Sequence, residues 1–377
     1  MYPDFQYLFE TIFKTEGPAF LSAIKTFGFF MAIAFLAGAW ILKNELKRKE
    51  RLGQLKPWLS VKPDAKKHSG KLLEMELVGE EIQVYPHQRT GAFVVIAVIS
   101  GLIGAKLFNA LETWDDFIRD PAGNLFSGGG LTFYGGLIVA SLSIFLYCKK
   151  HKINFGHFCD AAAPALIIAY AIGRLGCHFS GDGDWGIFNN AYISRPDGSV
   201  GLATGNDFNQ SIALHASYFS QQFGLVNQIP HTYVAAPNGF PDWLFAMNFP
   251  HNVINEGIPI EGCTGKYCAM LPIPVFPTSL YEAFICSFLF IPIWALRRKF
   301  KQALHLFGFY LILNGLERFF IEKIKVNYKY DWGFIHLAQS EIISVLLIIA
   351  GCSILVLYRR STTSTGLIQA PIEKTIL

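Results

Sequence analysis

Charge is scarce in this chain. Charged side chains make up only 16% of its 377 residues, against roughly 25% in an ordinary soluble domain. The net charge is only +4 and sits in clusters at the ends of apolar runs, so a nucleic-acid-binding reading has little support. Cysteine supplies no disulfide framework. Five of the seven (Cys148, Cys159, Cys177, Cys286 and Cys352) are isolated, and only Cys263 and Cys268, in EGCTGKYC, form a local pair. There is no internal repeat. No basic segment precedes the first apolar run, near Phe20, and no small-residue cleavage site follows it, so a removable signal peptide is not expected. What is abundant is apolar surface: 52% of residues are hydrophobic, with 34 Phe, 15 Tyr and 7 Trp. That is more than one soluble core needs.

The apolar residues gather into runs at about 20–42, 91–111, 129–148, 158–180, 278–296, 303–322 and 336–358. Each approaches the ~20 residues a helix needs to cross ~30 Å of hydrocarbon. Lipid offers backbone groups no partner, so the spans must be helical. The expected fold class is an all-α polytopic membrane protein with about seven transmembrane helices, an outer-face cap and a charged cytoplasmic insertion. It divides into 1–42 (first span), 43–90 (insertion), 91–180 (spans two to four), 181–277 (cap) and 278–377 (spans five to seven and a tail).

Lysine and arginine set the expected orientation. Eleven of them fall in 43–90, others in Lys149–Lys152 and Arg297–Lys301, and two more at Arg359 and Arg360. With alternating spans these share one side. The opposite side holds acidic 112–127 and the long 181–277 segment, whose only cations are Arg195 and Lys266. The expectation is a multi-pass protein of a bacterial inner membrane, N-terminus outside and C-terminus cytoplasmic. Lys323, Lys325 and Lys329 are exceptions to the pattern. Within the insertion, GKLLEMELVGEEIQVYP (70–86) is either a small amphipathic element or, more simply, a solvated loop attracting anionic lipid. The cap is read as irregular or β-containing, and a Cys263–Cys268 disulfide is expected in its oxidising compartment.

Ionisable groups within spans are costly and point to function. Arg174, Glu282, Arg318 and Glu322 stand out. At 1.5 Å per residue, Arg174 lies ~24 Å along the fourth run and Arg318 ~22 Å along the sixth, both running outward. Glu282 and Tyr134 lie ~6 Å and ~8 Å below the outer surface. All fall in the outer half of the bilayer. Arg318 and Glu322, four apart, share a helix face with Asn314. They are either an intrahelical ion pair or a guanidinium held ready for a ligand. Two arginines at similar depth suit a lipid phosphate, which guanidinium binds through paired charge-assisted hydrogen bonds. Two Gly-rich stretches, GGGLTFYGGL (128–137) and GRLGCHFSGDGDWG (173–186), either let helices pack closely or leave room for a ligand. The second adds His178, Asp182, Asp184 and Trp185. Its acids suit holding the loop or pairing with Arg174 better than binding a cation, so no metal is expected.

At these residues the chain resembles the bacterial prolipoprotein diacylglyceryl transferases. GRLGCHFSGDGDWG is similar to that family's GR[IL]GNFINGE–WG motif, and GGLTFYGGLI to its SFHGGLIG segment. FPTSLYEA (276–283) resembles HPTQLYE, LNGLERFFIE (313–322) resembles the GxxRFxxE helix, and LAQSEIIS resembles MGQILS. IKTFGFFMAIAF (24–35) resembles the first-span pattern with its WYG. The order matches the family's, over the membrane core but not over 43–90 or most of 186–277. The resemblance implies a cofactor-free enzyme that moves diacylglycerol from phosphatidylglycerol to the lipobox cysteine thiol of a prolipoprotein, releasing glycerol phosphate. Its partners are then phosphatidylglycerol, the prolipoprotein lipobox peptide and membrane lipid, with no nucleic acid. It implies catalytic roles for Tyr134, His178, Arg318 and Glu322. Substrate binding falls to Arg174, Arg318, Glu282, Asn314, Gly135, Gly136 and Asp182.

Several positions depart from the family pattern. Its His in FHGG is Tyr134 and its Asn after GR[IL]G is Cys177. Its first-span Tyr is Phe27, and the Tyr one turn before the motif arginine is Asn314. Its Asn-Gly-Glu becomes Ser180, Gly181 and Asp182 plus one extra residue. The phosphate-gripping half of the site is retained and the proton-transfer half is altered. A phospholipid-binding relative with changed or lost transfer activity is the alternative. A channel or transporter would spread its charges through the full depth of the membrane.

Overall fold

The computed structural model describes residues 1–63, 79–126, 130–224, 229–326, 329–331 and 336–364. Twelve α-helices occur among them: α1 (Phe5–Phe13), α2 (Thr26–Arg51), α3 (Thr90–Glu112), α4 (Trp114–Arg119), α5 (Pro121–Phe126), α6 (Phe133–Lys150), α7 (Phe155–Ser180), α8 (Asp207–Leu214), α9 (Ala216–Phe223), α10 (Thr278–Leu296), α11 (His305–Glu322) and α12 (Gln339–Ser364). Six segments are long and apolar enough to cross a membrane: those of α2, α3, α6, α7, α10 and α12. The remaining expected span is α11. Its 18 residues give ~27 Å of helix, but Glu317, Arg318 and Glu322 make it too charged for the same class. The protein is a polytopic, mostly helical membrane protein. The first span begins six residues later than its apolar run and continues to Arg51, so part of the expected insertion is helix.

The chain forms two compact units. One comprises 37–165 and 301–307. Its centre is the packing of α3 on α6. A Cβ on Gly135 would come within 2.3 Å of the Phe108 Cβ, and one on Gly104 within 2.4 Å of the Gly135 carbonyl. A Cβ on Gly136 would approach the Gly101 carbonyl to 2.9 Å. Only glycine permits this approach, as at close helix crossings in lipid. Lys49 and Asp160, each 1% exposed, pair at 3.4 Å. Asp160 also accepts hydrogen bonds from the backbone amides of Leu304 (3.1 Å) and Phe307 (3.0 Å), capping the otherwise unpaired amides at the start of α11. In the insertion, β1 (Trp58–Pro63) and β2 (Gly79–Val84) form an antiparallel pair. The rest of the amphipathic stretch expected at 70–86, from 70 to 78, lies outside the described residues.

The other unit comprises 1–36, 166–300 and 308–377. Here α11 packs on α12 through glycines: a Cβ on Gly351 would meet the Gly308 carbonyl at 2.5 Å, and one on Gly315 the Ser344 carbonyl at 2.8 Å. The cap is irregular with short strand pairs, as its composition suggests. β3 (Phe188–Asn189) pairs parallel with β6 (His231–Thr232). β4 (Tyr192–Ser194) pairs antiparallel with β5 (Val200–Leu202), and β7 (Ile258–Pro259) with β8 (Ala269–Met270). The cap also carries helices α8 and α9, which its sequence did not suggest. Phe188, Phe219, Phe249, Leu271, Ile273 and Val275 build its core. The expected Cys263–Cys268 disulfide is formed.

Candidate phosphate site

Glu282 is the centre of the site. It lies in the first turns of α10 and its carboxylate is 0% exposed. Such a charge is tolerable in a span only when paired, and Glu282 is paired three times. The Arg174 Nε contacts Oε2, the Arg318 Nη1 donates to Oε1 at 3.0 Å, and the Lys325 Nζ lies 2.9 Å from Oε1. Asp184 provides the second carboxylate. It contacts the Arg174 Nη1 through Oδ2, and its Oδ1 is 2.5 Å from the Lys325 Nζ. Tyr170, one turn before Arg174 on α7, links the arginines. Its hydroxyl accepts from Arg318 at 3.0 Å, and its ring lies under the Arg174 guanidinium, 4.9 Å to the centroid. Three cations thus face two carboxylates, leaving one net positive charge.

Backbone contacts aim these groups. Gly186 closes the loop after α7. Its amide donates to the Phe276 carbonyl, and the Ile187 amide donates to the Ile324 carbonyl, both at 2.9 Å. A Cβ on Gly186 would sit 2.7 Å from the Ile324 carbonyl and 2.9 Å from that of Phe276. This crowding sets Asp184 and Lys325 side by side. The Thr278 hydroxyl donates to the Asp184 carbonyl at 3.3 Å, and Tyr281 donates to the Leu244 carbonyl at 2.5 Å, tying α10 to the cap. Lys325 lies just beyond α11. Burial, opposed by the pull of Glu282, holds its ammonium below the ordinary lysine value.

Of the residues expected at the site, Arg174, Glu282 and Arg318 converge. The sequence leaves an intrahelical Arg318–Glu322 pair open. Among the described residues Arg318 bonds to Tyr170 and Glu282, because the buried Glu282 carboxylate has no solvent and draws in every nearby cation. Glu322 is buried. Asn314 is half-buried one turn before Arg318. Asp182 holds the loop by accepting from the Asp184 amide at 3.3 Å, and Asp184 is the acid that reaches Arg174. His178 is buried, its ring edge-on to Phe179 and Phe249, with Nδ1 unpaired among the described residues. The Cys177 sulfur lies 4.0 Å from the Arg174 Nη1. Gly176 rests on Phe30 and Phe27 of the first span, where a Cβ would meet the Phe30 Cβ at 2.9 Å. Tyr134, Gly135 and Gly136 begin α6 in the other unit, where the glycines make the close approach to α3 and Tyr134 packs edge-on against Phe133.

Tyr170 and Lys325 were not among the expected site residues. Tyr170 could have been found from its spacing of four from Arg174 on one helix. Lys325 had registered only as an exception to the loop-charge pattern.

The described residues thus define a helical, multi-pass membrane protein in which three cations and two carboxylates gather in a buried cluster. Its family follows from comparison. The model of the prolipoprotein diacylglyceryl transferase family matches residues 69–357, and the chain belongs to that family. A phosphatidylglycerol–prolipoprotein diacylglyceryl transferase of Leptospira interrogans is 26% identical over 96% of this chain and 96% of its own length. The protein of that name from Clostridium botulinum is 29% identical, over 68% of this chain and 74% of its own. That from Dehalococcoides mccartyi is 34% identical over 28% of this chain and 43% of its own.

Proposed function

We propose that this protein transfers the diacylglyceryl group of phosphatidylglycerol to the lipobox cysteine thiol of a prolipoprotein. The observation that carries this reading is the convergence of Arg174, Arg318 and Lys325 on Glu282 and Asp184. Three cations converging from separate elements suit a phosphodiester. Transfer turns that diester into a glycerol phosphate carrying a further charge, so cations already in place stabilise the transition state more than the ground state. Arg174 and Arg318 grip the phosphate oxygens, and Glu282 with Tyr170 keeps both guanidiniums oriented. Asn314 faces the same ligand, and Asp182 supports the loop that presents Asp184. His178 and Glu322 flank the site. The protein lies in the inner membrane with its N-terminus outside, its C-terminus cytoplasmic and the site towards the outer leaflet. The reaction uses no cofactor.

The test supplies this protein to a strain lacking its own transferase and weighs a model prolipoprotein. A mass gain of one diacylglyceryl unit is expected, falling ~100- to 1,000-fold in rate with Arg318→Ala. No gain with the unaltered protein overturns the reading in favour of a lipid-binding relative without transfer.

A further inference from the structure

The proposed transfer leaves the thiol proton without an assigned acceptor. We propose, resting on that reaction, that Glu317 takes it. Glu317 is 5% exposed on α11, and both its carboxylate oxygens are buried with no hydrogen bond among the described residues. It is in no ion pair among them either. An unpaired carboxylate inside a span is expensive and is not explained by packing.

Its surroundings place it at the reaction. From α10 it is within electrostatic reach of Glu282 and of Cys286, one turn further along. The same reach takes in Tyr170 and Arg174 of α7, and along its own strand of chain Tyr310, Arg318 and Lys325. The other carboxylates of the cluster are committed: Glu282 and Asp184 are locked to cations. The His178 ring is enclosed between Phe179 and Phe249, and a tyrosine at 134 has an ordinary value of about 10.

Charge and position agree with the role. Arg174, Arg318 and Lys325 against Glu282 and Asp184 sum to +1, and an ionised Glu317 brings the cluster to zero. Arrival of a phosphodiester makes it −1, and passing the thiol proton to Glu317 keeps that total while moving the negative charge from Glu317 to the sulfur and then to the departing phosphate beside Arg174 and Arg318. Along α11 Glu317 lies ~1.5 Å from Arg318, on the side away from Lys325. In the proposed orientation that is the acyl-chain side. The glyceryl carbon attacked also lies on the chain side of the phosphate, and a displacement in line with the departing oxygen approaches from there. In the step, the cysteine S–H gives its proton to a Glu317 oxygen. The sulfur then forms a bond to the glyceryl carbon as the carbon–oxygen bond to phosphate breaks. Glycerol phosphate leaves with the electron pair, held by Arg174 and Arg318.

The experiment uses the full-length protein in phosphatidylglycerol vesicles with a lipobox peptide, and reads thioether formation by mass from about pH 6 to 9.5. The unaltered protein should reach a plateau rate as pH rises. Glu317→Gln should bind phosphatidylglycerol as before and lose ~100-fold or more in rate at pH 7. Its rate should then climb about tenfold per pH unit up to the peptide thiol's own pKa of about 8.5, as solution ionises that thiol. A Glu317→Gln protein that keeps the original rate, or is slow with a flat profile, overturns the proposal. Should that variant not fold, Glu317→Asp carries the test. It keeps a carboxylate one methylene short, so a plateau at a reduced rate is expected and an unchanged rate overturns the assignment. An unaltered protein that itself climbs tenfold per unit throughout also overturns it. No transfer by the unaltered protein at any pH is instead the failure of the reaction reading, and it is visible before any variant is compared.

Discussion

Replacing Glu282 with glutamine isolates the electrostatic claim from the chemical one. The wild-type cluster sets three cations against two carboxylates. Glu282→Gln preserves the shape of the side chain and one acceptor oxygen, but takes the local charge from +1 to +2. Arg174 and Lys325 still share Asp184, while Arg318 loses its bond to the Glu282 carboxylate and keeps the Tyr170 hydroxyl. Stranding a buried charge costs about 3–5 kcal/mol. Because Glu282 is fully buried, solvent cannot soften that figure as it does for exposed pairs, which contribute about 1 kcal/mol or less. The assay is reversible unfolding in mixed micelles, comparing the single variant with Glu282→Gln/Lys325→Met. The second change restores the charge to +1, so the double variant should recover part of the loss. A single-variant cost below about 1 kcal/mol, or a coupling within the ~0.5 kcal/mol expected of independent sites, would refute the reasoning.

Three further outcomes follow from the packing. Gly186→Ala should push the Ile324 and Phe276 carbonyls apart and separate Asp184 from Lys325, lowering transfer more than tenfold while the thermal transition stays cooperative; an unchanged rate would show that the close approach does not set the site. Asp160→Asn removes the carboxylate paired with buried Lys49 and weakens the cap of α11, so a loss of about 3–5 kcal/mol is expected, partly regained with Lys49→Met in the same unfolding assay. In the cap, burial lowers the His251 imidazole below its ordinary value of about 6.5, with the nearby N-terminal ammonium adding to the effect. A depressed folded value means the unfolded chain binds the proton more readily, so the cap is fully stable above about pH 6.5 and loses stability as pH falls below it. His251→Gln should flatten that slope, measured as protease resistance of the cap against pH.

Much of the membrane architecture was legible because lipid is an unforgiving solvent. Hydropathy alone located the spans, and the rarity of intramembrane charge singled out Arg174, Glu282 and Arg318. What it could not reveal was which carboxylate each arginine would choose. Spacing along α11 favours Glu322 as the partner of Arg318, since i, i+4 pairs need no tertiary structure. The fold prefers Glu282, because a wholly buried carboxylate has most to gain from every cation within reach. The same limit applies to the loop after α7. With one residue inserted after the family's glutamate position, the motif match points to Asp182. Only the Gly186 backbone contact, between segments far apart in sequence, decides for Asp184.

The helix-packing glycines show the reverse case, in which a pattern was visible but its meaning was not. Gly135 and Gly136 look the same in sequence whether they leave space for a lipid or admit another helix. A Cβ on Gly135 would meet the Phe108 Cβ at 2.3 Å, so the space beside Gly135 is taken by a neighbouring side chain. Lys325 is the sharper lesson. A positive charge on the wrong side of a topology looks like noise when counted among loop lysines. It acquires meaning once Asp184 and Glu282 are found against its ammonium, because a membrane protein that places a cation against its usual bias must hold it there with buried acids. Exceptions to the loop-charge pattern that lie within a few residues of an intramembrane arginine are therefore better read as extensions of that arginine's site than as errors in the orientation.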